Sequence, residues 1–427
     1  MTIEMEKSLK IKYSLMVFPV AFAGIPIYIF LPDYYHNYFG LSLTVLSITL
    51  FVLRVLDALV DPFIGWYCDR FPRQHKKSFI VIVALFILGF YILCNPMIGS
   101  RLINLLIGVL LSTLAYSYLT IFINTQGALW KKGQKEKADI ISLREIFNII
   151  GVLVASILPF ILMSILPVQT SYFVYSLIFS VIIIFTSIKF LQWYRAVHKQ
   201  NNTIKKDTYE KSYGYKYYFA QMNQQGKFLF LSYSISALGS AIPAVMLAFY
   251  SRYVLQMPQY TGLYLFLYFL GTIIAIPFVR KLALRYGEVH IWMYAIIIAI
   301  IIFMCAFFLN KGDILAFSII SFTSGLCFSA ELILPNLLLA QWIDTKERNP
   351  LGNGYYALLS FIGKFSFALA TIVTLPWLDV QIAINTVDLS NVILIKLLYC
   401  LLPCLIKAAA LISLFIWQAR RQEGGVK

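Results

Sequence analysis

The sequence has little charge. Only 13% of its 427 residues are Asp, Glu, Lys or Arg, about half the share that a water-soluble domain carries. That leaves too little polar surface for a chain of this length to stay dissolved. It also excludes disorder, which needs charge-rich, apolar-poor sequence. Acid is scarcer still, with 19 Asp and Glu against 35 Lys and Arg. Histidine is confined to His36, His75, His198 and His290. All four sit at loops or at the ends of apolar runs, so no buried histidine proton relay is expected. The six cysteines (Cys68, Cys94, Cys305, Cys327, Cys400, Cys404) form no Cys-x-x-Cys pair, so no zinc site is indicated. Cys400 and Cys404 share a helix face and read as small packing residues. There is no Gly-x-Ser-x-Gly elbow, Walker-type loop or His-rich cluster. The chain is therefore expected to be no enzyme, to hold no cofactor or resident metal, and not to pump at the expense of ATP.

What is present is apolar sequence, 60% of the chain, gathered in runs of about twenty residues, long enough to cross the hydrocarbon core as helices. Twelve such runs cover 13–31, 41–67, 78–98, 102–130, 139–165, 171–193, 227–250, 260–280, 289–309, 314–343, 352–376 and 391–418. Strands of a membrane barrel would alternate apolar and polar over about ten residues. These runs are continuous, which predicts an all-α integral membrane protein with twelve transmembrane helices.

The basic residues orient it. The N-terminus (Lys7, Lys10, Lys12), the loop after the second run (Arg70, Arg73, Lys76, Lys77) and the loop after the fourth (Lys131, Lys132, Lys135, Lys137) belong to one side. With the middle loop, the loops after the eighth and tenth runs and the tail, that side takes 26 of the 35 Lys and Arg. The other side has Arg101, Arg252 and Lys311. The positive-inside rule puts both termini in the cytoplasm, and an even number of spans agrees. The bias accounts for the net charge of +16 without a nucleic-acid partner. Glu4 and Glu6 interrupt the N-terminal charge and no cleavage site precedes Lys12, so the first helix is expected to be its own insertion signal. The expected location is the cell membrane, a bacterial inner membrane, with the lipid bilayer as partner.

One long polar stretch, 195–226, divides the chain into halves 1–194 and 227–427 with six runs each. Transporters are often built from two such halves. A weak internal echo supports this: Gly65-Trp-Tyr-Cys-Asp69-Arg70-Phe-Pro-Arg73 and Pro277-Phe-Val-Arg280-Lys281-Leu-Ala-Leu-Arg285 are both basic turns after the second helix of a half.

A charge at mid-bilayer costs several kcal/mol, so charges kept there are functional candidates. Span 2 is densest: Arg54-x-x-Asp57-x-x-x-Asp61-Pro62 puts three charges on one helical face. Two carboxylates a turn apart can hold Na⁺ through oxygen ligands, or a proton if burial raises an affinity. Arg54 can moderate their repulsion. The alternative is an ion cluster that only locks packing. Asp69 and Arg70, at the cytoplasmic end, are gating candidates that would clamp helix ends in one state, or else a solvated loop pair. Arg144 could reach a polar solute or pair with Glu145. Glu331, four residues before Pro335, could line a pathway opposite Lys364, or the two could form a structural salt bridge. Tyr118 and the amides Asn124 and Gln126 could line a cavity. Lys396 can snorkel outward, and Lys407 finds no acidic partner in the sequence.

The span 2 motif with Asp69-Arg70 resembles the glycoside–pentoside–hexuronide:cation symporters, the family of melibiose permease within the major facilitator superfamily. Leu31-Pro32-Asp33-Tyr34-Tyr35, Arg144-Glu145, Gly239 through Pro243, the Glu331–Asp344 run and Gly354-Tyr355-Tyr356 with Lys364 extend the likeness over both halves. The resemblance implies symport of a polar solute with Na⁺, Li⁺ or H⁺ by alternating access, with solute bound at the bilayer midplane between the halves. It implies that Asp57 and Asp61 hold the cation, that Arg144 contacts solute, and that Lys364 links the two sites. The chain departs from the family in four places. Val60 replaces a frequent polar ligand and Gln341 a frequent Asp. Spans 1 and 4 lack the acids that relatives use. Loss of ligands leans toward H⁺ over Na⁺.

The expected function is thus H⁺- or Na⁺-coupled symport of a small polar solute such as a sugar or glycoside, by a monomer. The alternatives are a major facilitator transporter of another cargo (nucleoside, organic acid or amphipathic lipid) and a non-transporting membrane receptor.

Overall fold

The computed structural model describes residues 3–25, 31–96, 100–200, 218, 220–344, 349–382 and 389–424, and every regular element among them is a helix. In chain order these are α1 (Ile3–Ser14), α2 (Val17–Ile25), α3 (Leu31–Phe39), α4 (Leu43–Arg70), α5 (His75–Cys94), α6 (Arg101–Trp130), α7 (Gln134–Ile165) and α8 (Val168–Gln200). After the middle loop come α9 (Gln224–Phe249), α10 (Thr261–Tyr286), α11 (Glu288–Phe307), α12 (Ile314–Trp342), α13 (Gly352–Ile382), α14 (Leu389–Lys396) and α15 (Leu402–Gly424). π turns follow α9 (Tyr250–Val254) and join α14 to α15 (Leu397–Leu401).

The apolar runs fall on these helices. Among the described residues, ten helical segments are long and apolar enough to cross a membrane. A further one, α4, has 28 residues, about 42 Å at 1.5 Å per residue, and carries the charges of the second run. The first run starts in α1 and α2, and its residues 26–30 lie outside the described residues. So does most of the 195–226 linker, together with Lys346, Arg348 and Lys427.

Local chemistry sets the helix starts. The side chains of Ser42, Ser100 and Asn223 each accept a hydrogen bond from the backbone N–H three residues on, opening α4, α6 and α9. This satisfies a donor that the helix itself cannot. Gly133 and Gly287 precede α7 and α11 at φ +91°, a conformation that a side chain would strain.

The chain folds as two compact units. The first is Met1–Gln221 with Ile343–Phe361, and the second is Met222–Trp342 with Ile362–Lys427. In the first, α2 packs on α7 and α6 on α4 and α5. Its core is aromatic: Tyr13 lies 4.8 Å from Trp193, which lies 5.1 Å from Phe190. The later segment joins this unit through named bonds. Buried Lys137 pairs with Asp344 at 3.1 Å, Tyr355 donates to the Tyr218 carbonyl at 3.0 Å, and Asp69 accepts from Asn353 and Gly354.

In the second unit α10 lies against α12, and α15 against α9 and α11. The α10–α12 approach depends on glycine. A Cβ at Gly325 would sit 1.9 Å from the Tyr268 carbonyl oxygen, and one at Gly271 2.3 Å from that of Phe322. Tyr250 stacks on Tyr399 at 4.3 Å and on Phe317 at 5.1 Å to fill the interior.

Candidate functional site

Span 2 is a single helix, α4, with Pro62 inside it. The 3–4 spacing does not bury all three charges alike: Asp57 and Asp61 are buried while Arg54 is exposed. Ser117 on α6 donates to Asp57 Oδ1 at 2.8 Å. The first unit thus holds two buried carboxylates one turn apart, with a hydroxyl against the first. The aromatic and amide groups expected on α6 divide likewise. Tyr118 is buried and stacks on Phe122 at 5.8 Å, Gln126 is buried, and Asn124 is half-buried.

Arg144 is fully buried on α7. Its Nε donates to Glu145 Oε1 at 3.0 Å, and Asn148 donates to Glu145 Oε2 at 3.0 Å. The arginine is therefore paired with its own neighbour. At the end of α4, Asp69 Oδ1 accepts from the backbone N–H of Asn353 at 3.0 Å and from its side-chain amide at 2.9 Å. Its Oδ2 accepts from Gly354 N–H and Tyr218 OH, each at 2.8 Å. Asn353 and Gly354 open α13, so Asp69 serves N–H groups that lack an acceptor within the helix. Arg70 is exposed, with its guanidinium 5.7 Å from the rings of Trp66 and Phe71.

The second unit changes one expected pairing. Glu331 on α12 does not pair with Lys364. Its Oε1 pairs with the Nζ of Lys407 on α15, and both side chains are buried. Lys407 also donates to Ser240 Oγ on α9 at 2.9 Å, and that hydroxyl donates to Glu331 Oε2. Carboxylate, hydroxyl and ammonium form a closed three-helix network. Lys364 on α13 is half-buried. The reason is helix phase: the Glu331 side chain reaches Ser240 on α9 and Lys407 on α15, a neighbourhood that spacing along one chain does not reveal.

This network lies on the wall of a cavity of about 120 Å³ that Tyr264 and Tyr268 of α10, Phe328 of α12 and Tyr399 of the second π turn also line. Sequence reasoning flagged Lys407 as a charge inside a span but gave it no partner, and Ser240 carried no signal beyond its place beside Gly239. Among the described residues no group of three or more His, Cys, Asp or Glu is placed to hold a metal ion.

The model of the MFS/sugar transport protein family matches residues 12–419. No curated sequence matches the chain. Among solved structures it is similar to a bacterial homologue of the iron transporter ferroportin in its outward-facing state. The two share 14% identity at a TM-score of 0.72 over 98% of this chain and 100% of that one. It is also similar to the E. coli fucose:proton symporter, at 13% identity and TM-score 0.62 over 96% and 98%. The human organic anion transporter TETRAN is similar at 11% identity and TM-score 0.67 over 97% and 100%. At such identities the likeness shows the fold, the major facilitator fold.

Proposed function

The chain belongs to the MFS/sugar transport protein family, and on that premise we propose that it is a secondary transporter, not an enzyme, which moves a small polar solute such as a sugar or glycoside together with H⁺ or Na⁺ by alternating access. Within the superfamily the reading nearest its motifs is the glycoside–pentoside–hexuronide:cation symporter family. The observation that carries the coupling is the pair of buried carboxylates on α4, Asp57 and Asp61, with Ser117 donating to the first. Two acids in a membrane helix are costly unless they are used. Either can take a proton, and the two with nearby oxygens can hold a monovalent cation. Val60 adds no ligand, and this scarcity of oxygens favours H⁺. Bound cation would stabilise the conformer that binds solute, and this differential affinity is what couples the two fluxes.

In this reading Arg54 tunes the two carboxylates, Arg144, held in place by Glu145, contacts solute, and Lys364 contacts solute as well. Tyr118, Asn124 and Gln126 offer hydroxyl and amide contacts to solute. Asp69 and Arg70 act as a latch on the start of α13, made in one state and released in another. The protein works as a monomer in the cell membrane with both termini in the cytoplasm. A second cargo class, nucleosides, organic acids or amphipathic lipids, is favoured by one observation: the runs 13–31 and 102–130 contain no Asp or Glu.

Uptake by proteoliposomes under imposed H⁺ or Na⁺ gradients tests the proposal. Wild-type protein should concentrate solute under one gradient, and Asp57→Asn and Asp61→Asn should each abolish that concentration. Gradient-driven uptake that survives both substitutions would remove the coupling assignment.

A further inference from the structure

In the second unit a carboxylate, a hydroxyl and an ammonium from three helices close on one another, and the coupling scheme uses none of them. Lys407 on α15 gives one N–H to Glu331 Oε1 and another to Ser240 Oγ at 2.9 Å. Ser240 in turn donates to Glu331 Oε2. That donation spends the hydroxyl hydrogen on the carboxylate and leaves the oxygen lone pairs for Lys407. The ammonium thus sits between a carboxylate oxygen and a hydroxyl oxygen, the kinds of ligand that hard cations take. The Lys407 stem reaches this point past Gly239, where a Cβ would come within 3.0 Å of Lys407 Cγ. The group opens on the cavity of about 120 Å³, with the hydroxyls of Ser321, Ser324 and Tyr264 on its wall and room for several waters. Among the described residues that line it, Glu331 is the one acid and Lys407 the one base. Charge therefore fixes the class of cation. One carboxylate is balanced by one positive charge, and a divalent ion would leave a surplus charge in a low-dielectric interior.

We infer that Glu331 and Ser240 are the ligands of a monovalent-cation site in the second unit, and that this chain fills the site with a cation of its own, the Lys407 ammonium. The tethered group does what a bound Na⁺ or NH₄⁺ would do there: it balances Glu331 and takes Ser240 as its second ligand. Because it is attached, it cannot leave for either side of the membrane. The second unit therefore keeps its charge balance without exchanging an ion, and exchangeable ions are left to the carboxylates of α4. Only that last step rests on the coupling reading; the site itself does not. A pair that served packing alone needs its two charges fixed in place. A cation site makes a further demand, that a free small cation can stand in for the ammonium.

The test is thermal unfolding of the purified full chain in detergent, in chlorides of Na⁺, K⁺, methylammonium or choline at equal ionic strength. Lys407→Ala removes the ammonium and leaves a gap beside Glu331 and Ser240. In choline, too large for that gap, the variant should unfold well below wild type. In Na⁺, K⁺ or methylammonium it should recover by several degrees, because a ligand that binds only the folded state stabilises it. The double variant Lys407→Ala/Glu331→Gln is the reference. It keeps Asp57 and Asp61, so any ion effect of the first unit remains, and it should show none of the extra recovery. Should Lys407→Ala fail to fold, Lys407→Gln takes its place. Its amide can still bond Glu331 and brings a carbonyl oxygen, and it should gain a response to Na⁺ or K⁺ that wild type lacks. An ion response in the single variant no larger than in wild type and the double variant overturns the inference, and so does equal recovery in choline. None of these readouts needs a solute or a flux. A failed rescue therefore discards this site and keeps the transporter, while no uptake of any solute by wild-type protein discards the transporter and keeps the site.

Discussion

At the scale of single residues, the informative charges are those inside helices, and their partners decide what each can do. Glu331 and Lys407 are 76 positions apart and both buried. Two charges in a low-dielectric interior cost a great deal to desolvate, and the attraction between them roughly repays it. Removing one partner is different, because the other is then stranded. Lys407→Met and Glu331→Met should each destabilise the protein by about 3–5 kcal/mol, whereas the double substitution to Met should recover most of that loss. Thermal unfolding in detergent of the four proteins closes the cycle. Additive losses would mean that the two groups do not interact. The same pair shows where reading the sequence stops. That Lys407 lies within an apolar run is visible at once, and so is the expectation that it needs an acid. Which acid it meets depends on the rotation of α12 and α15 about their axes. Both helices are too uniformly apolar for periodicity to fix that rotation. The charge was legible and the pairing was not.

At the scale of elements, α13 depends on a residue outside itself. Its first turn offers the N–H groups of Asn353 and Gly354, and Asp69 at the end of α4 accepts both, along with the Asn353 side chain and Tyr218 OH. A carboxylate at a helix N-terminus also meets the positive end of the macrodipole. Asp69→Ala strands several donors at once and should cost about 1–3 kcal/mol. Asp69→Asn keeps one acceptor oxygen and should lose less. Unfolding temperatures ranked wild type, Asn, Ala would support this capping role, and equal temperatures would dismiss it. Read from sequence, Asp69-Arg70 is a helix-end pair with a clamping role. The helix it serves begins more than 280 residues later, beyond any local pattern. The spans themselves were legible for the opposite reason. A continuous apolar run of about twenty residues in lipid has no way to satisfy its backbone except as a helix, so composition and length sufficed for α5 through α13.

For the whole molecule, the distribution of basic residues is best explained by the membrane. Helix dipoles alone would place Lys and Arg near C-termini and keep them from N-termini. Here Arg70, Lys131 and Arg285 lie in or just after the last turns of α4, α6 and α10, as a dipole would favour. Yet Lys76 and Lys77 lie in the first turn of α5, and Lys135 and Lys137 in that of α7, where the dipole opposes them. The two sets share membership of the same loops, and those loops recur after every second span. A field acting on one face of a membrane produces that alternation, and a field acting along each helix does not. The loop at 310–313 belongs to the opposite set. It turns through Gly312 at φ +86°, with Asp313 accepting from the Asn310 N–H at 2.7 Å, and Lys311 is its one basic residue. Reporter fusions test the orientation. Alkaline phosphatase joined at Lys311 should be active, because it folds only outside the cytoplasm, and green fluorescent protein joined after Lys427 should fluoresce. The reverse result at both sites would invert the molecule. It would place the 26 basic residues on the side where the membrane potential opposes them, and the charge asymmetry of this chain would then need another cause.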